Sequence, residues 1–174
     1  MNLKKILFIF FTFFSFNLNS TEIRVVNIKY LIDNNNDLIT FISKIDEDQI
    51  IHRENFKNTE INLNSDLKKI EELKLILEES ELQKEISEYN NNLAQFNEKI
   101  VKFNNHYENQ VKIFEDKILN QILEILKEIS LENNIDLILD SNNYIISSNS
   151  INITQIVLKE LDKIKFSIDL EKFN

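Results

Sequence analysis

The run Asn134-Ile135-Asp136-Leu137-Ile138-Leu139-Asp140 decides how this chain is read. It is short and rich in Ile and Leu, and the polar Asp140-Ser141-Asn142-Asn143 that follows reads as a turn. It stands directly behind a long stretch of helical periodicity. The same β-like composition last occurs near the start, at Ile23-Arg24-Val25-Val26-Asn27-Ile28, and once more beyond the turn at Tyr144-Ile145-Ile146. A chain that leaves a small sheet, runs out as helix and returns to the sheet describes an arm on a base. The expected fold class is therefore α+β, with a body from residues 22–47 and 119–174 and an arm from residues 48–118.

The arm is read from its apolar spacing. Asp33 to Asp37 carries helix-start residues, and Leu38, Phe41, Ile42 and Ile45 then recur at helical intervals. Asp46-Glu47-Asp48 reads as a polar interruption. The periodicity resumes weakly at Ile51 and Phe56 and clearly at Leu63, Leu67, Ile70, Leu73 and Leu77. A cleaner stripe, Ile86, Tyr89, Leu93, Phe96, Ile100, Phe103 and Tyr107, is spaced 3, 4, 3, 4, 3, 4. That is a coiled-coil seam. A step of four to Val111 makes a stutter, after which Phe114, Ile118, Ile122, Ile125 and Ile129 continue the line. The helix should end at Glu132-Asn133-Asn134, where Asn can take the left-handed cap that Gly usually supplies. The turn of the hairpin is expected near residues 78–82, since Glu78-Glu79-Ser80-Glu81 sits best in water. A leg from residue 48 to 78 would be about 45 Å long.

Near the C-terminus, Asn152-Ile153-Thr154-Gln155 opens a further helix, with Asn152 and Thr154 in the cap and Gln155 at the capping-box position. Ile156, Val157, Leu161 and Ile164 give it an apolar face that would cover one side of the sheet. So few short strands with one short helix cannot enclose much core. Sharing the sheet between copies is the simplest remedy, which makes Val25, Val26, Ile28, Leu137, Ile138, Leu139 and Ile145 candidates for the body of a homo-oligomer.

Composition excludes more than it assigns. The 174 residues contain no Gly, no Pro and no Cys. A phosphate-cradling P-loop, a dinucleotide fingerprint and a nucleophile elbow all require Gly, and thiol chemistry requires Cys. His52 and His106 belong to no His-Glu-x-x-His pattern, and a solvated helix face is the ordinary reading of each. Asp46-Glu47-Asp48 lacks the alternation and Gly of a calcium loop. No enzyme activity, cofactor or metal is expected. Asn tracts such as Asn34-Asn35-Asn36 are given the compositional reading of an AT-rich genome. Lys4, Lys5 and the apolar run Ile6–Phe16 read as a secretory signal ending near Ser20, with an uncleaved anchor as the alternative. Removing residues 1–20, which carry Lys4 and Lys5 and no acid, would take the net charge from −9 to −11. Nucleic acid is an improbable partner for such a chain.

With these pieces placed, the chain resembles the Skp/OmpH family of periplasmic chaperones. The resemblance rests on Ile23–Ile28 after a signal-like start, on Asn134–Asp140 with Tyr144-Ile145-Ile146, and on Asn152-Ile153-Thr154-Gln155-Ile156-Val157-Leu158-Lys159-Glu160-Leu161. The family usually has Asp where this chain has Asn152. The resemblance implies a homotrimer whose strands form a small β-barrel body. Three helical hairpins would project from it around a cavity that holds unfolded outer-membrane β-barrel proteins without ATP, in the periplasm. One departure counts against lipid binding: Asp66 to Glu88 holds eight acids and four Lys, where familiar members have basic arms, so weak or no direct membrane-lipid contact is expected.

Client contacts would come from apolar residues of the arm. Phe96, Phe103 and Phe114 are candidates, although each also fits a seam within the hairpin. Leu75, Leu82, Val101 and Ile113 fall off that seam and are the alternative set. Two other function classes stand beside the holdase: an envelope tether retained by Ile6–Phe16, and an adaptor recruiting partners through Glu78, Glu79 and Glu81.

Overall fold

The computed structural model describes residues 20–173. The expected signal segment, apart from Ser20, lies outside them. Among the described residues no helix is long and apolar enough to cross a membrane. The order is β1 (Ile23–Val26), α1 (Ile28–Asp33), α2 (Asn36–Leu73), α3 (Glu79–Asn133), β2 (Leu137–Asp140) and α4 (Thr154–Leu161). Two single 3₁₀ turns, Ser141–Asn143 and Asn149–Ile151, fill the passage from β2 to α4.

The departure from a sheet and return to it is present. β1 and β2 pair in parallel, Ile23 opposite Leu137 through Val26 opposite Asp140. On its other edge β1 meets the chain just before α4, where Val25 bridges Asn152 and the Ile153 N–H donates to Val25 O at 2.9 Å. The first β run is shorter than expected. Ile28 is not in the strand but begins α1, because the Asn27 side chain accepts the Tyr30 N–H at 2.9 Å and caps a helix there. Tyr144-Ile145-Ile146 also departs from expectation. These residues are in no strand, and Ile145 and Ile146 are 103% and 87% exposed. A strand needs a neighbour to take its backbone groups, and none of the described residues pairs with this segment.

Asparagine does the work of the missing glycine. Asn134 ends α3 at φ 51°, ψ 46°, as its position in the sequence implies, and is the one non-Gly residue with positive φ among those described. Asn34 closes α1 through its side-chain N–H to Tyr30 O at 2.8 Å. The buried Asn35 opens α2 by accepting the Leu38 N–H at 3.0 Å. The tract Asn34–Asn36, discounted above as compositional, is a pair of back-to-back caps.

The core of the base lies where the root of the hairpin meets α1 and α4. Leu31, Ile118, Ile122, Val157 and Leu161 are fully buried there, with Val26 from β1 beside them. α4 is anchored to this core in a way the capping-box reading only half describes. Asn152 Oδ1 does accept the Thr154 N–H at 2.9 Å. The buried Thr154 hydroxyl, however, turns away from its own helix and accepts the Asn27 N–H at 2.9 Å, tying α4 to the start of α1. The helix cap itself is Ile153.

Asp140 makes the second tie to α1, its Oδ1 accepting the Ile28 N–H at 3.0 Å. Burial pushes its carboxyl pKa up, but the backbone N–H groups of Ile28, Asn142 and Ser141 and the Asn142 amide outweigh it, and the net shift is downward. A carboxylate whose folded pKa is depressed stabilises the fold above its unfolded value, near 3.9. That contribution is lost as pH falls through the folded pKa. Asp140→Ala is therefore expected to cost about 1–2 kcal/mol at neutral pH. In urea titrations the gap between the two proteins should close below about pH 4.

Candidate functional site

The arm is an antiparallel hairpin of a 38-residue and a 55-residue helix, about 57 and 82 Å long at 1.5 Å per residue. α2 runs straight through Asp46-Glu47-Asp48, so the expected interruption does not occur. No Gly or Pro breaks the backbone, and Asp48 falls at a seam position where the Tyr107 hydroxyl donates to it. Around that contact lies an aromatic cluster. Phe56 meets Phe103 edge-on at 5.0 Å and Phe96 at 6.1 Å, His52 lies 5.6 Å from Phe103, and Phe103 touches Tyr107 at 5.1 Å. Nearer the base, Phe41 stacks on Phe114 at 4.7 Å.

Burial, then the Asp48 hydrogen bond and charge, raise the Tyr107 pKa to about 12. Up to about pH 9 the phenol is protonated in folded and unfolded chains alike. Between pH 10 and 12 the unfolded chain ionises and the folded one does not, so stability should fall by on the order of 2 kcal/mol across that window. Tyr107→Phe should flatten that part of the pH profile in thermal or urea unfolding. Its neutral-pH cost should be about 1 kcal/mol, because Asp48 is partly exposed and can be hydrated.

The hairpin turns earlier than expected. α2 ends at Leu73, Lys74 to Glu78 form the turn, and Glu79 and Glu81 lie in the first turn of α3. Acids there face the positive end of the helix dipole, which accounts for their clustering as well as solvation does. The turn itself presents Leu75 and Ile76, 87% and 78% exposed.

The client-contact candidates separate accordingly. Leu75, Val101 and Ile113 are exposed, the last two at 56% and 57%. Leu82 and Phe103 are buried, Phe103 by the aromatic cluster, and neither offers a free surface in this state. Phe96 is half-buried against Phe56, and Phe114 is buried against Phe41. The seam reading is the one the hairpin adopts for these phenylalanines.

The sequence reading missed one contact along the arm. α4 stops at Leu161, and from Ile164 to Phe173 the chain runs extended along the hairpin as far as the aromatic cluster. Ile164, Phe166, Ile168 and Leu170 are partly buried against the core while the residues between them are exposed. Phe166 lies 6.0 Å from Phe114, and Phe173 fits among His52, Phe103 and His106 at 5.3–5.6 Å. Ile164 thus belongs to this segment and not to the face of α4. The available signal was its period of two, Ile-Lys-Phe-Ser-Ile-Asp-Leu.

The body carries its own exposed apolar surface. Ile23 and Leu137, at one end of the strand pair, are 38% and 44% exposed, and Ile156 on α4 is 53% exposed. The far edge of β2 pairs with no described strand. Val25 and Val26 are buried within the chain, Ile28, Ile138 and Leu139 are partly covered, and Ile145 is fully bare. A cleft of about 630 Å³ opens between Arg24, the Ile125–Asn133 end of α3 and the Ile156–Lys163 side of α4.

A long two-helix arm rooted between the strands of a small body defines the class of this fold. The chain belongs to the OmpH-like outer membrane protein family, which it matches over residues 22–161. Among solved structures it is similar to a candidate outer membrane chaperone (OmpH-like) from Caulobacter crescentus CB15. The TM-score is 0.66 at 11% identity, covering 89% of this chain and 93% of that one; the likeness is one of fold. Comparison with curated proteins gives no match.

Proposed function

We propose that this protein is an ATP-independent holdase of the periplasm, a homotrimer that keeps unfolded outer-membrane β-barrel proteins from aggregating. Family membership over residues 22–161 carries the reading, and the chaperone description of the Caulobacter crescentus neighbour agrees with it. The arm supports it physically. Leu75, Ile76, Val101 and Ile113 are exposed apolar side chains scattered among charges. Such a surface holds a client by many weak contacts, whose combined effect grows with the effective concentration inside one cavity. A two-stranded sheet with an unpaired edge and bare isoleucines is incomplete by itself, which supports a body shared between subunits. The acid-rich outer half of the arm favours protein clients over anionic lipid.

The test is sedimentation of the chain from Thr21 onward, with an outer-membrane barrel protein diluted into it from urea. The expected species has the mass of three subunits plus one client and stays in solution. Leu75→Ser with Ile76→Ser should weaken retention of the client by about tenfold, the equivalent of 1.4 kcal/mol, without changing helicity. A client that pellets while the protein sediments alone would overturn the reading and leave the tether or adaptor class in its place.

A further inference from the structure

The geometry points to the groove beneath residues 164–173 as the place where an extended client segment with apolar side chains at alternate positions is seated, the C-terminal segment being its resident occupant. The inference rests on the holdase reading and names its site.

Three observations converge. First, the segment is held by its backbone. Gln110 grips one residue from both sides of its peptide unit: its Oε1 accepts the Glu171 N–H at 2.9 Å and its Nε2 donates to Glu171 O at 2.8 Å. At the other end the Asp37 carboxylate accepts the Phe166 N–H at 3.0 Å. These contacts read a main chain in extended conformation and are indifferent to side-chain identity, which is what a binder of many sequences requires.

Second, from Ile164 to Leu170 alternate side chains pack against the arm while the residues between them face solvent, and Phe173 packs in three residues further on. From Phe166 to Phe173 an extended chain spans about 23 Å at 3.3 Å per residue. From Asp37 to His52, the arm residues met at the two ends, α2 rises about 22 Å. The lengths match, so the groove accepts a strand and not a helix. Alternation of apolar and polar residues is the pattern of a membrane β-barrel strand, and Ile164-Lys165-Phe166-Ser167-Ile168-Asp169-Leu170 has it.

Third, the segment does not fill the groove. A cleft of about 390 Å³ remains between it and the arm, with Phe41, Gln110, Ile113 and Phe114 on one side and Ser167 and Leu170 on the other. Five of the ten residues from 164 to 173 are exposed. The segment lies outside residues 22–161, the range matched by the family. Its departure would uncover Phe103, which Phe173 covers, and so turn a buried aromatic into a client contact.

The chain has no Cys, which permits a clean test in the full chain. Lys117→Cys and Ser167→Cys, facing each other across the cleft, would be joined by a bismaleimide whose spacer is cut by reductant. A second variant, Phe166→Ser with Phe173→Ser, weakens the segment without touching the arm. The probes are an unfolded outer-membrane barrel protein and a labelled peptide of residues 163–174. The bridged protein should lose most of its holding activity and the peptide site, and regain both on cleavage. The double-Ser variant, with unchanged helical circular dichroism, should bind the peptide at least tenfold more tightly than the parent. The peptide should also compete with the client. Equal holding by bridged and cleaved protein, or a peptide affinity unchanged by Phe166→Ser with Phe173→Ser, overturns the groove assignment while the holdase reading stands. If no form holds the client, that reading falls and this inference with it.

Discussion

Phe114→Ala should destabilise the protein by about 3–5 kcal/mol, the usual range for deleting a buried Phe. Its ring is 3% exposed and stacks on Phe41 at 4.7 Å with planes 14° apart, and Phe166 leans on it from the C-terminal segment. No neighbour can refill the space cheaply, because Phe41 and Ile118 are held by the two helices that frame the gap. The urea midpoint at fixed protein concentration should fall while the slope stays unchanged. Phe41→Ala should show a similar loss, and the double variant should fall short of the sum by about 0.5–1.5 kcal/mol, the coupling of a stacked pair. Strict additivity would mean that the rings do not stabilise one another. A loss below 1 kcal/mol would mean that the base of the hairpin is not packed as described.

How much of this was legible follows from which forces act locally. The strand pair was readable because Ile23–Val26 and Leu137–Asp140 are bounded by turn and cap residues on a chain otherwise patterned as helix. The end of α3 was readable because, without Gly, only Asn among nearby residues tolerates positive φ. The seam from Phe103 to Ile122 was readable because periodicity reports burial directly. Two of the misses share a cause: each depends on a partner distant in sequence. Asp48 looks like a break until Tyr107, on the other helix, supplies its hydrogen bond. Thr154 looks like a cap until Asn27 takes its hydroxyl. The early turn at Lys74–Glu78 carries no turn signature, because Leu77 continues the apolar stripe four residues past Leu73, the end of α2. Of the off-seam candidates, exposure at Leu75, Val101 and Ile113 was anticipated, Leu82 is buried instead, and the groove was not foreseen. Ile164 completed a helical stripe so well that the period of two beginning there went unread.

The second large effect concerns the body. If the protein assembles as proposed, Ile145→Asp with Ile146→Asp should convert the trimer into single chains at concentrations where the parent is fully assembled. The two side chains are 103% and 87% exposed on an extended segment that no described residue pairs with, so the substitution removes no contact inside one chain, and helical circular dichroism should not move. In the proposed trimer the same side chains are covered by a neighbouring subunit. Burying an Ile side chain is worth about 1.5–3 kcal/mol, so two of them contribute roughly 3–6 kcal/mol per subunit contact. At 1.4 kcal/mol per tenfold, that is on the order of a hundredfold to ten-thousandfold in association. The introduced carboxylates would add the cost of desolvating charge on any subunit that still docked. Ile61→Asp is the control, a comparably apolar site 56% exposed in mid-arm, and should leave the sedimenting mass unchanged. Should the Ile145 and Ile146 variant remain trimeric, these residues would not be part of the shared body. The unpaired edge of β2, with Leu137 beside it, would then have to carry assembly without them.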